Sequence, residues 1–182
     1  MNTVVLGLGS NNSFNGMSPV ELLAHAVNEL REVLEEISVS SIYESKAMYV
    51  TDQNNFFNMA VMGHVSDEIT PYSLLNFIHK VEAKYGRDRS KEIRFGPRSL
   101  DIDIEEFGSV CLNEPDLILP HPRMAERQFV LLPVLEIFSK SADCLKKEQI
   151  KKQLDLHPDQ GVVLCDEQVQ KRFESVCHAK TF

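Results

Sequence analysis

No Cys-x-x-Cys pair occurs in this chain. Its four cysteines, Cys111, Cys144, Cys165 and Cys177, lie far apart, so neither a zinc site nor a disulfide framework is expected. No apolar run approaches the length of a membrane span, and no membrane partner is expected. The start Met1-Asn-Thr-Val has no basic region before an apolar one, so a reducing cytoplasm is the expected setting. Gly-x-x-x-x-Gly-Lys-Ser/Thr is missing, as are Gly-x-Ser-x-Gly and His-Glu-x-x-His. That removes the P-loop and two hydrolase signatures. Gly7-Leu-Gly-Ser-Asn-Asn12 opens like a dinucleotide fingerprint but has Asn12 where the third glycine belongs. Positive charge is in deficit: 19 Lys and Arg against 27 Asp and Glu leave a net charge of −8. This argues against nucleic acid or an anionic surface as partner.

Against that background one stretch stands out, Arg94-Phe-Gly-Pro-Arg-Ser-Leu-Asp-Ile-Asp-Ile104. Its alternation has the period of a half-buried strand. On a strand Asp101 and Asp103 share a face, roughly 7 Å apart along the backbone. Two carboxylates so placed can hold divalent cations against a polyphosphate. Between positions 84 and 98 lie Lys84, Arg87, Arg89, Lys91, Arg94 and Arg98, opposed only by Asp88 and Glu92. A charge run is commonly a solvated face, but its abutment on Asp-x-Asp points to an anionic ligand. Arginine suits phosphate because its planar fork donates two parallel hydrogen bonds.

At 182 residues the chain is expected to form one domain, with a core over about 3–140 and an extension over 141–182 of unassigned role. Thr3–Leu8 reads as a strand. Ser18-Pro-Val-Glu21 is a capping box opening a helix to about Glu36, and Ile37–Tyr43 reads as a strand. Residues 44–55 lack periodicity, and Phe56–Val65 is a strand. Thr70-Pro71 opens a second helix that Gly86 can stop. Val110–Leu112 is a brief strand. Phe129–Phe138 reads as a buried helix with Pro133 tolerated only in its first turn. Residues 140–154 are a helical candidate, 161–165 a final strand, and the tail beyond about 170 is expected to be peripheral. The order β-α-β-β-α-β predicts an α+β, ferredoxin-like core with an antiparallel or mixed sheet and both helices on one face.

Other residues bear on chemistry. His121 sits between two prolines and Arg127 precedes an apolar run; each has an ordinary structural reading. Phe56 and Phe129 read as core. Asn58 is harder to dismiss, because an amide on an apolar strand needs partners, and its donors and acceptor suit the edge of a heterocycle. From the residues alone, a two-metal nucleotidyltransferase and a non-catalytic ligand-binding module also remain open.

Gly7-Leu-Gly-Ser-Asn11, Phe56-Phe-Asn-Met-Ala-Val61, Gly86-Arg-Asp-Arg89, the Arg94–Ile104 stretch and Leu119-Pro-His-Pro-Arg-Met-Ala-Glu-Arg-Gln-Phe-Val130 together resemble the 6-hydroxymethyl-7,8-dihydropterin pyrophosphokinases of folate biosynthesis. The resemblance runs from residue 3 to about 140. It implies transfer of the pyrophosphoryl group of ATP to the hydroxymethyl oxygen of 6-hydroxymethyl-7,8-dihydropterin, releasing AMP. It implies two Mg2+ ions on Asp101 and Asp103. Arg87 and Arg98 fall on catalytic arginines. Glu82, Arg89, Arg98, His121 and Arg127 fall on ATP-binding positions. Ser45, Met48, Phe56, Asn58 and Phe129 fall on pterin-binding ones. It implies a monomer acting on small molecules in the cytoplasm. Phe56 stands where Tyr also occurs, Phe95 where Trp occurs, and Lys46-Ala-Met48 where a proline-containing stretch is common.

Overall fold

The structure, a computed structural model, describes residues 1–47, 52–89 and 96–178. Met48, Lys91, Arg94 and Phe95 lie outside the described residues. In chain order the elements are β1 (Asn2–Ser10), α1 (Pro19–Leu30), β2 (Glu35–Val39), β3 (Tyr43–Ser45), β4 (Phe56–Val65), α2 (Pro71–Lys84), β5 (Asp101–Phe107), β6 (Leu112–Glu114), β7 (Leu117–Leu119), α3 (Gln128–Ser139), α4 (Cys144–Asp155), β8 (Val163–Leu164) and α5 (Glu167–Cys177).

The main sheet runs β5-β1-β4-β3-β8, with β2 also on β4. All its pairings are antiparallel. β1 and β4 are central and the connections cross over through α1 and α2, the ferredoxin-like arrangement expected from the element order. Alternation decides the two faces. Val4, Leu6, Leu8, Met59, Val61, Ile102 and Ile104 point into the core beneath α1 and α2. Val5 and Ala60 point the other way, into a second core closed by Val130, Leu131, Val134 and Ile137 of α3 and Ile150 of α4. Each fully buried Leu or Ile stabilises the fold by about 1.5–3 kcal/mol.

Both capping boxes form. Ser18 N donates to Glu21 Oε2 at 2.8 Å, and Thr70 N donates to Ser73 Oγ at 2.8 Å. Several boundaries differ from expectation. α1 stops at Leu30, not near Glu36. Leu34 N donates to Leu30 O at 2.9 Å across a turn, and Glu36 adopts φ +50 within β2. Leu34 sits at helical spacing after Val27 and Leu30 and is core, only 4% exposed, but a turn delivers it there. The strand expected over 37–43 is split into β2 and β3. Pro133 is the sixth residue of α3, well past the first turn. An interior proline costs about 3 kcal/mol, and here the burial of Leu131, Pro133 and Val134 on the sheet offsets it. The tail is not peripheral. α5 buries Phe173 and Cys177 in the main core, and Asn28 Nδ2 donates to Val176 O at 3.3 Å.

Gly86 ends α2 with φ +90, and a Cβ there would lie 2.2 Å from the Phe14 ring. Gly86→Ala is therefore expected to destabilise the protein by about 2–4 kcal/mol, combining left-handed strain with displacement of Phe14. Urea unfolding measures this, and a change below about 0.5 kcal/mol, the size of an ordinary surface substitution, would contradict it.

Candidate functional site

One cleft opens on the sheet face that α3 leaves uncovered. Its floor is β1. Gly7 pairs with Ala60 on one side and Asp103 on the other, and Gly9 with Asn58 and Asp101. A Cβ on Gly7 would meet Glu105 Oε1 at 2.8 Å, and one on Gly9 would meet Asn58 Oδ1 at 3.4 Å. The floor is thus bare backbone. Ser45, Phe56, Asn58, Arg98, Asp101, Asp103, Glu105, Arg127 and Phe129 line the cleft.

The organic end lies at β3 and β4. Asn58 is buried, and its Nδ2 donates to Ser45 Oγ at 3.0 Å and to Phe56 O at 3.3 Å. Phe129 lies in the first turn of α3, and the Arg127 guanidinium sits over its ring, 5.4 Å from the centroid. The ionic end lies at β5. Asp101 accepts hydrogen bonds from Arg87 Nη1 and Arg98 Nη1. Burial raises the Asp101 pKa, but the charges of Arg87 and Arg98 outweigh it and hold the carboxyl below its usual range. Asp103 has Arg127 Nη1 at 3.7 Å. Its side chain borders the cleft and is 41% exposed, though it is hemmed in by the residues around it. Burial, followed by the Asp101 charge, pushes its pKa up to about 7. The Nε groups of Arg98 and Arg127 are buried with no hydrogen-bond partner among the described residues. They are spare donors for an anion.

The loops are fixed from beneath. Asn11, 1% exposed, accepts from Arg98 N through Oδ1 at 2.8 Å. Its Nδ2 donates to Gln53 Oε1 and Asn54 O, both at 3.1 Å. One amide thus couples the segment before β4 to the arginine ahead of β5. Glu82, on α2, is fully buried. It accepts from Arg87, from Arg89 Nη2 at 2.5 Å and from Ile102 N at 2.9 Å. Desolvation raises its pKa, and the Arg87 charge opposes that shift. Its carboxylate is occupied in holding arginines and the edge of β5.

Of the residues singled out from sequence, Ser45, Phe56, Asn58, Arg98, Asp101, Asp103, Arg127 and Phe129 come together in the cleft. Glu82, Arg87 and Arg89 border an adjoining depression with His79. Met48 lies outside the described residues. His121 stands behind Glu105. Its N–H donates to Glu105 O at 2.9 Å, and its Nδ1 accepts from Arg123 N at 3.3 Å. Burial, then Arg127 and Arg123, lower its pKa to about 4. It is therefore neutral near pH 7, with its proton on Nε2.

Sequence reasoning missed Glu105. The β1–β5 register slips between Val5–Glu106 and Leu6–Ile104, so Glu105 is the extra residue of a β-bulge. A bulge re-aims its side chain. Glu105 is fully buried, both its oxygens lack a hydrogen-bond partner among the described residues, and desolvation raises its pKa well above the ordinary value. The alternation Asp101, Asp103, Glu105 was the available signal. Among the described residues no three His, Cys, Asp or Glu side chains are grouped to hold a metal ion. Asp101 and Asp103 nevertheless suit magnesium. They offer only oxygen, and Mg2+ takes one or two carboxylates and fills its shell with water and phosphate. Burial first, and the Asp101 charge second, disfavour an ionised Asp103, and a divalent cation would offset both.

Comparison with known proteins gives a consistent result. Residues 5–139 match the family described as 7,8-dihydro-6-hydroxymethylpterin-pyrophosphokinase (HPPK). Over 99 residues the chain is 44% identical to the 2-amino-4-hydroxy-6-hydroxymethyldihydropteridine pyrophosphokinase of Bacillus subtilis, covering 54% of this chain and 57% of that protein. Identity to the Aquifex aeolicus protein of the same name is 37% over 137 residues, covering 75% and 81%. The matched stretch spans 26% of a folate synthesis bifunctional protein of Arabidopsis thaliana, at 36% identity and 74% of this chain. The crystal structure of Plasmodium falciparum HPPK-DHPS superposes with a TM-score of 0.62, covering 85% of this chain and 44% of that one. At 15% identity that likeness concerns the fold alone.

Proposed function

The chain belongs to the 7,8-dihydro-6-hydroxymethylpterin-pyrophosphokinase family, and from that premise we propose that it transfers the pyrophosphoryl group of ATP to the hydroxymethyl oxygen of 6-hydroxymethyl-7,8-dihydropterin, releasing AMP for folate biosynthesis. It does so as a cytoplasmic monomer. One observation carries the reading: a single cleft is lined by an amide, two aromatic residues and a paired-carboxylate strand with arginines.

The pterin edge is read by Asn58 and Ser45, and its ring by Phe56 and Phe129. The hydroxymethyl oxygen attacks the β-phosphorus of ATP, the bond from that phosphorus to the α-bridging oxygen breaks, and AMP leaves with the electron pair. Arg98 and Arg127 bring their unpartnered Nε donors to the phosphates, and Arg87 and Arg89 stand beside them. His121 donates from Nε2 as a neutral group. Asp101 and Asp103 are the residues that would hold magnesium, which when bound neutralises phosphate charge and aligns the attacking and leaving oxygens. Such transfer has a loose transition state, so positioning and charge outweigh a strong base. The free state of all four cysteines suits a reducing compartment. No described helix is long and apolar enough to cross a membrane.

The test is a product assay with ATP, the hydroxymethyl pterin and magnesium, separating nucleotides. One AMP should form per pterin consumed. ADP as the sole nucleotide product would overturn the reading.

A further inference from the structure

The helix that carries Phe129 starts without a cap of its own. Arg127, its N-cap, makes no side-chain capping bond, and the first N–H groups of a helix need partners from elsewhere. The partner comes from the far side of α4, beyond the stretch matched to the family. Gln160 Oε1 accepts from Gln128 N at 2.9 Å, and its Nε2 donates to Glu126 O at 2.7 Å. The clasp is reciprocal. Gln128 Oε1 accepts from Gln160 N at 2.9 Å, and its Nε2 donates to Pro158 O at 3.1 Å. The peptide groups on both sides of Arg127 are therefore held by one side chain.

The same segment grips the opposite wall. β8 pairs with Tyr43 and Glu44, just before Ser45, the acceptor of the Asn58 hydrogen bond. Gln170 then closes on Ile42 with two bonds of 2.9 Å, one from Ile42 N to Oε1 and one from Nε2 to Ile42 O. Core packing does not account for β8, although Cys165 and Val169 beyond it pack against the main core. Val163 and Leu164 are 56% and 60% exposed, so β8 adds hydrogen bonds to the sheet edge but little apolar burial.

We propose that residues 156–170 are a brace that sets the spacing of the two pterin-facing walls, the start of α3 and the end of β3, with Gln160 as the positioning residue. The inference rests on the pterin pyrophosphokinase reading for its ligand, but not for its geometry. Gln160 does not line the cleft; it acts through Arg127 and Phe129.

Gln160→Ala in the full chain tests it. The pterin KM should rise roughly five- to tenfold with kcat within about twofold, the pattern of lost uniform binding. Gln160→Glu keeps the oxygen that caps Gln128 N and should recover most of the affinity. A pterin KM unchanged in Gln160→Ala would overturn the proposal, as would an equal fall in kcat with no change in KM. Amide exchange is read in parallel. Residues 128–131 should exchange faster in Gln160→Ala while β1 stays protected, and unchanged exchange there would also overturn the brace. If the wild-type protein makes no AMP, the functional reading fails, and the exchange at 128–131 still decides the brace. If Gln160→Ala does not fold, Gln160→Glu is compared with the wild type on both readouts, and equal exchange with a raised KM would count against the cap.

Discussion

Asp101→Ala is expected to lower kcat/KM by at least about a thousandfold, a loss of ~4 kcal/mol of transition-state stabilisation. Asp101 is the point where the two halves of the ionic site meet. It lies on β5 between Arg87 and Arg98, and its lowered pKa keeps it ionised for a cation. The fold should survive, because Arg87 keeps Glu82 as partner and Arg98 borders the open cleft. Asp103→Ala should cost similar turnover but no stability, since it removes a carboxyl that burial and Asp101 already disfavour. The check is AMP formation at saturating and limiting magnesium, alongside thermal unfolding. Near wild-type turnover of either variant at limiting magnesium would refute the metal role.

The second large effect is on stability. Glu82→Ala should destabilise the protein by about 3–5 kcal/mol, the usual result of removing one partner of a buried ion pair. Arg87 would keep Asp101, but its side chain is only 6% exposed, so water cannot replace the lost carboxylate, and Arg89 loses its pairing with Glu82 as well. Ile102 N, on the outer edge of the sheet, would also lose its acceptor. The raised pKa of Glu82 means that desolvation outweighs its attractions. For Glu82 the cost therefore lies in breaking the pairing once its partners are buried. Glu82→Gln, which keeps an acceptor for Ile102 N, should cost only about 1–3 kcal/mol, in the range for a disturbed hydrogen bond to a charged group. Denaturant unfolding decides this, and a loss under about 1 kcal/mol for Glu82→Ala would contradict the buried-pair argument.

What could be read from the sequence was what depends on local pattern. β4 falls on residues 56–65 as its alternation indicates, the capping box of α1 forms where its spacing places it, and α2 opens at Pro71 as expected. Asp101 and Asp103 share a face because a strand has period two. What could not be read depends on tertiary partners. Glu105 continues the same alternation, but nothing local reveals that a bulge would bury it without hydrogen bonds. Pro133 breaks a propensity rule that packing on the sheet overrides. α5 has only Phe173 and Cys177 as buried anchors, too few to announce a docked helix. Asn11 directly follows β1 in a glycine-rich run with no local sign of a buried role. Its role depends on Gln53 and Arg98, 42 and 87 residues away.

The cleft floor has a consequence for how the site can change. At Gly7 and Gly9 the pleat already presents the smallest groups available to a protein, with Glu105 and Asn58 close behind them. Any substitution there raises the floor and none can lower it. The depth of the slot is thus at a limit, and a shift toward thicker ligands is open only to the walls.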